Sequence, residues 1–128
     1  MSDKFKITTI SVDQNFISVF SEESYEQIMR GGMILTDRIN AQNLRLRMSE
    51  PGYSTDWHVA GDATLIIIQK GTLRITLQNN EYKEFTTGDS FIAKDYLPQE
   101  INFTPNIHGH KAEVIGEAPL FATHIKLG

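Results

Sequence analysis

Asp56-Trp57-His58-Val59-Ala60-Gly61-Asp62-Ala63-Thr64-Leu65-Ile66-Ile67-Ile68-Gln69-Lys70-Gly71 sets one histidine ahead of an apolar run and closes that run with glycine. Leu65, Ile66, Ile67 and Ile68 are consecutive, three of them are β-branched, and polar or glycine positions bound them on both sides. That is the pattern of a strand covered on both faces, deep in a sandwich or barrel. Whatever chemistry the chain has is expected to begin at His58.

Working outward, Leu73, Ile75 and Leu77 alternate with Arg74 and Thr76, and Asn79-Asn80 suits a tight hairpin because asparagine tolerates positive φ. Residues 81–85 read as the return strand. Thr87-Gly88-Asp89 then turns the chain into a strand over 90–94, and a long stretch carrying Pro98 and Pro105 follows. Strands over 113–115 and 120–127 flank the turn Gly116-Glu117-Ala118-Pro119. Upstream, Leu44, Leu46 and Met48 alternate with Arg45 and Arg47, Pro51-Gly52 is a turn, and residues 55–60 read as the strand that bears His58. Residues 5–10 and 16–20 are β-prone on either side of Asp13-Gln14-Asn15. Residues 21–30 read as one short helix: Ser21 caps it, Glu22 and Glu23 favour its N-terminal dipole, Tyr25, Ile28 and Met29 share a face, and Gly31-Gly32 stops it.

The chain has 128 residues, which suits one domain, with an N-terminal arm over 1–34 and a barrel over 35–128. It has no cysteine, which excludes disulfides, thiol nucleophiles and thiolate zinc sites and suits a reducing compartment. The net charge is -4 and the 12 lysines and arginines are scattered, so a nucleic-acid partner is not expected. No run reaches the roughly 20 apolar residues of a membrane span, and Met1-Ser2-Asp3-Lys4-Phe5-Lys6 lacks the apolar core of a leader. A soluble, cytoplasmic protein without a membrane partner is the expectation. Short strands punctuated by glycine, asparagine and proline turns, with one helix near the start, point to an all-β double-stranded jelly-roll β-barrel.

The quoted stretch also resembles the first motif of the cupin family, in which a glycine is followed by His-x-His, a Glu and a hydrophobic strand ending in glycine. In that family the two histidines and the Glu hold a metal. Gly52, His58 and Gly71 take the leading, first-histidine and closing positions, whereas Ala60 stands at the second histidine and Thr64 at the Glu. Gly88-Asp89 and the strand after it are similar to the opening of the family's second motif. The histidine of that motif falls best on His110, with His108 as its rival. Asp-Trp-His-x-Ala followed late by Gly-His looks like the small single-domain cupins. The resemblance implies the same jelly-roll barrel, histidines of the two motifs meeting at one end of its cavity, and a homodimer.

On that frame His58, His110 and His108 are the candidate metal ligands, for a divalent transition metal such as Zn, Fe, Ni or Mn. The alternative is no cofactor, with the imidazoles lining a cavity as hydrogen-bonding groups. Arg45 and Arg47 form either a solvated face or, if turned inward, a clamp for an anionic ligand. Thr64 can orient a ligand or serve as a polar strand residue. Asp95 matches an acidic position of the small cupins and either orients a histidine or caps a turn. Trp57 is read as packing and His124, which matches no motif, as structural. The expected function is binding of a small polar or carboxylated molecule, at a metal or without one; a metal-independent isomerase using a histidine base with a neighbouring acid such as Asp95 stays open.

Overall fold

The computed structural model describes residues 4–128, and among them every regular element is a strand. These are β1 Phe5–Val12, β2 Ser18–Tyr25, β3 Gln27–Arg30, β4 Met33–Thr36, β5 Ala41–Ser49, β6 Thr64–Lys70, β7 Thr72–Leu77, β8 Tyr82–Phe85, β9 Ser90–Ala93, β10 His110–Ile115 and β11 Leu120–Leu127. The larger sheet has the order β2-β1-β9-β6-β11-β5, the smaller β10-β7-β8, and β3 and β4 form a separate hairpin. Met1, Ser2 and Asp3, which open the stretch read as lacking a leader, lie outside the described residues. Among the described residues no helix is long and apolar enough to cross a membrane.

The run at residues 65–68 forms β6, with β9 on one side and β11 on the other. Its Ile66 and Ile68 face the opposing sheet, where Leu73, Ile75 and Leu77 of β7 return the same alternation. Phe85 and Phe91 stack in the middle with ring centroids 4.3 Å apart. Each such side chain contributes about 1.5–3 kcal/mol by leaving water, which makes this interface the main source of stability. Two sheets with strands crossing between them give a jelly-roll-like sandwich. β1 and β2 belong to the larger sheet, β1 pairing β9 in parallel, so residues 5–25 share a layer with the later strands.

Two expectations need correction. No helix forms over residues 21–30: Ser21 and Glu22 pair with Thr9 and Thr8 in the β1–β2 ladder, and residues 27–30 are β3. Gly31 and Gly32, read as a helix stop, instead make the tight turn between β3 and β4. Their φ values of 53° and 87° are the two successive positive angles that a primed hairpin turn needs. The second correction is that the barrel does not close. Residues 53–58 are not a regular strand; they run along β10, with Val114 N–H donating to Tyr53 and Thr55 N–H to Ala112. Their backbone groups are thus engaged by the smaller sheet, and no ladder joins them to β5 at the edge of the larger one. The sandwich stays open on that side.

Candidate functional site

His58, the first-motif histidine, and His110, the better-placed candidate for the second, meet at this opening. His58 N–H donates to the His110 carbonyl at 3.0 Å and His110 N–H returns the bond at 2.9 Å. Gly109 makes the approach possible. It has φ 88°, and a Cβ there would lie 2.5 Å from the His58 carbonyl oxygen, so only glycine fits. The two imidazoles consequently sit with centroids 4.5 Å apart, tilted by 57°.

Each ring is oriented from behind. His58 Nδ1–H donates to the Asp56 carbonyl at 3.0 Å, and His110 Nδ1–H donates to Asp95 Oδ2 at 2.7 Å. A carbonyl or carboxylate can only accept, so in the neutral rings both lone pairs reside on Nε2. Asp95 is fully buried, and it also accepts the Ser18 hydroxyl at 2.6 Å and Ala60 N–H at 3.0 Å. Burial alone would raise its pKa, but the His110, Ser18 and Ala60 donors outweigh it and hold the carboxyl below its ordinary 3.8. Ser18 entered no sequence argument, since a serine on a strand carries no signal that it will meet a residue 77 positions away.

In front of the rings lies a cavity of about 440 Å³ between the sheets. Ile66, Leu73, Ile75, Phe91, Leu120 and Ala122 make its apolar wall. Its polar groups include His58, His110, Arg47 and His124, with Asp56, Tyr53 and the half-buried Trp57 near the mouth. Arg47 stands opposite Ala122 and Arg45 opposite His124 in the β5–β11 ladder, so both arginines lie on the cavity face of β5. Arg47 also donates to the Tyr53 hydroxyl at 3.2 Å, reaching across the opening from one sheet to the other. His124, read as structural, is a cavity residue. The alternation Leu120, Ala122, His124 along β11 was the signal for it, because residues two apart share a face.

This corner is electropositive. The His124 pKa lies below its ordinary 6.5 because burial disfavours the imidazolium and Arg47 and Arg45 repel it. His58 is lowered in the same direction, chiefly by burial, with His110 and Arg47 adding to it against the opposing Asp56 carbonyl and Asp95.

The other candidates fall away from the cavity. Thr64 donates its hydroxyl to the Asp62 carbonyl at 3.1 Å and is not part of the lining. His108 is buried, its Nδ1 accepts Thr104 N–H at 2.9 Å and its ring packs against Phe103. His58 and His110 thus offer two imidazole Nε2 atoms to a metal, and His124, which also lines the cavity, does not gather with them into a third. Among the described residues no group of three His, Cys, Asp or Glu gathers to hold an ion, and a catalytic divalent site needs three. The residues present do not fit the metal centre that the motif resemblance implies.

No family model and no curated protein matches the sequence. Among solved structures the chain is similar to a cupin domain, bp2299, from Bordetella pertussis Tohama I, with TM-score 0.47 and 14% identity over 71% of this chain and 90% of that one. It is similar to the Cnp3 cupin domain of Schizosaccharomyces pombe, with TM-score 0.43 and 11% identity over 98% and 83%. A third is the capsular polysaccharide assembling protein CapF from Staphylococcus aureus, with TM-score 0.41 and 13% identity over 92% of this chain. The matched region spans 29% of CapF. Two of these three are cupin domains by name.

Proposed function

We propose that the chain binds a small organic anion with an apolar body, such as a carboxylate, without a metal. The observation that carries this is the aliphatic cavity with Arg47 and His124 on one wall and the His58–His110 pair on the other. An apolar pocket with a few convergent polar groups is the usual form of a small-molecule site. Arginine at its mouth favours a carboxylate, which it can engage with two parallel hydrogen bonds. The same reading takes the protein to be a cytoplasmic homodimer, supported by the absence of cysteine and by the apolar surfaces described below.

Trp57, the sole tryptophan, lines the cavity and serves as reporter. Benzoate and hexanoate are expected to change its fluorescence and raise the melting temperature, whereas benzamide and hexanamide, of the same shape without charge, do neither. Arg47→Ala is expected to abolish the difference. Equal responses to acids and amides refute the anion reading.

One observation favours a second reading, proton transfer. The 2.7 Å bond from His110 to a buried, ionised Asp95 is the arrangement that orients an imidazole as general base. His110 Nε2 takes a proton from a C–H next to a carbonyl, the electron pair delocalises onto the carbonyl oxygen, and the imidazolium returns the proton to the same or a conjugated carbon. The net change is an isomerisation. Exchange of the C3 hydrogens of 2-oxobutanoate in D2O, followed by NMR, tests it. Wild type must accelerate exchange and His110→Gln must not.

A further inference from the structure

We infer that the β3–β4 hairpin of one protomer packs against the outer face of β5 in a second copy of the chain, and reciprocally. This rests on the homodimer reading and gives it a geometry. The hairpin forms its own two-stranded sheet, and an isolated two-stranded hairpin is at best marginally stable in water. Its pairs Met29–Ile34 and Arg30–Met33 fall on opposite faces, and Met29, Met33, Ile34 and the neighbouring Ile28 are all exposed. Met29 and Ile34 share one face, so that face offers a partner two exposed apolar side chains.

β5 shows the complementary anomaly. It ends the larger sheet, among the described residues no strand lies on its outer flank, and its side chains are inverted relative to a strand facing water. The arginines at 45 and 47 take the cavity face, so Leu44, Leu46 and Met48 take the outer one, where all three are exposed. Residues 37–40 join the hairpin to β5, and a chain of that length spans at most about 18 Å, so the two apolar surfaces are neighbours. At exposures of 56% to 77%, Met29 and Ile34 with the outer face of β5 leave on the order of 600 Å² in water, the upper end of what a monomer exposes in one patch and approaching the roughly 800 Å² that each partner of a standard interface buries. Placing the hairpin on the partner's β5 uses both surfaces on both copies, so the contact closes on itself as a two-fold dimer and leaves no sticky end.

Light scattering of the full chain at micromolar concentration tests this, with Ile34→Glu and Leu46→Glu, which alter only exposed positions. Wild type is expected as a dimer, and each variant as a monomer with an unchanged circular dichroism spectrum. Because the chain has no cysteine, Met29→Cys protein mixed with Leu46→Cys protein and a short bismaleimide gives a second readout that needs no disruptive substitution. Cross-linked dimer must form in the mixture and not with either variant alone. A monomeric wild type overturns both this geometry and the homodimer reading. A wild-type dimer that survives both glutamates, or that gives no mixed cross-link, overturns the geometry alone.

Discussion

Replacing Asp95 separates the scaffolding role of this carboxylate from its control of His110. All three of its partners are donors: the Ser18 hydroxyl, the His110 Nδ1–H and the Ala60 N–H. In Asp95→Ala each is left in a region that the native carboxylate occupies with no exposure. An unmet buried donor costs about 1–3 kcal/mol, and of the three donors the Ser18 hydroxyl can partly re-satisfy itself by rotating, so the expected loss is about 3–5 kcal/mol. At about 4 °C per kcal/mol the melting temperature falls by roughly 12–20 °C. Asp95→Asn behaves differently. The Ala60 amide cannot change role, so the asparagine oxygen must stay with it and the NH2 group must face Ser18 and His110. A hydroxyl can rotate to accept, and an imidazole can shift its proton. Every polar group then keeps a partner and the loss is smaller, about 1–2 kcal/mol. The proton on His110, however, moves to Nε2, and the lone pair turns away from the cavity. Urea unfolding measures the stabilities, and long-range proton–nitrogen NMR reads the tautomer directly. An alanine variant that loses less than about 1 kcal/mol, or an asparagine variant that keeps the Nδ1–H tautomer, would falsify the reasoning.

Three further outcomes follow from the same geometry. Because His58 and His124 bind protons less readily folded than unfolded, their contribution to stability is complete above pH 6.5 and declines as pH falls below it; Asp95, depressed below 3.8, adds a second loss only in stronger acid. Melting curves from about pH 8 to pH 4 are expected to show the first decline, flattened in His124→Gln, and a flat profile in wild type counts against the depressed imidazoles. With two nitrogen donors rather than three, added Zn²⁺ or a chelator is expected to leave the melting temperature of untagged protein within about 2 °C, and a larger chelator-induced drop restores the metal reading. Gly109→Ala places a Cβ 2.5 Å from the His58 carbonyl at φ 88°, so a loss of at least about 2 kcal/mol with weaker Trp57 response to benzoate is expected; retention of both shows that the His58–His110 contact does not depend on this close approach.

What the sequence reveals of this fold depends on how local each signal is. The strands β6 and β7 announce themselves, because Leu65-Ile66-Ile67-Ile68 and the alternation Leu73, Ile75, Leu77 each carry the period of their own structure. Residues 21–30 carry a helical spacing in Tyr25, Ile28 and Met29, and this local hint loses to the ladder that β1 provides. Nothing within those ten residues states that a partner strand exists. The Gly31-Gly32 pair is compatible with a helix stop and with a primed hairpin turn, and the register of β3 against β4 decides for the turn. Closure of the barrel is a non-local property too. It depends on whether residues 53–58 bond to β10 or to β5, and both choices are consistent with the same sequence.

The site divides along the same line. His58 is visible because it leads a recognisable strand, His110 because the second-motif resemblance ends there with His108 as its rival, and Arg45 and Arg47 because they alternate with apolar residues; which way that alternation faces is settled only by the pairing of β5 with β11. Once Arg47 is known to stand opposite Ala122 and Arg45 opposite His124, three consequences are forced together. The arginines face the cavity, His124 joins them there with a depressed pKa, and Leu44, Leu46 and Met48 are left facing outward. A single register thus creates both the cationic wall that suits an anionic ligand and the apolar strip that suits a second copy of the chain. A shift of one residue would exchange the two faces, burying leucines where the arginines now line the opening and removing the anion site and the contact surface at once.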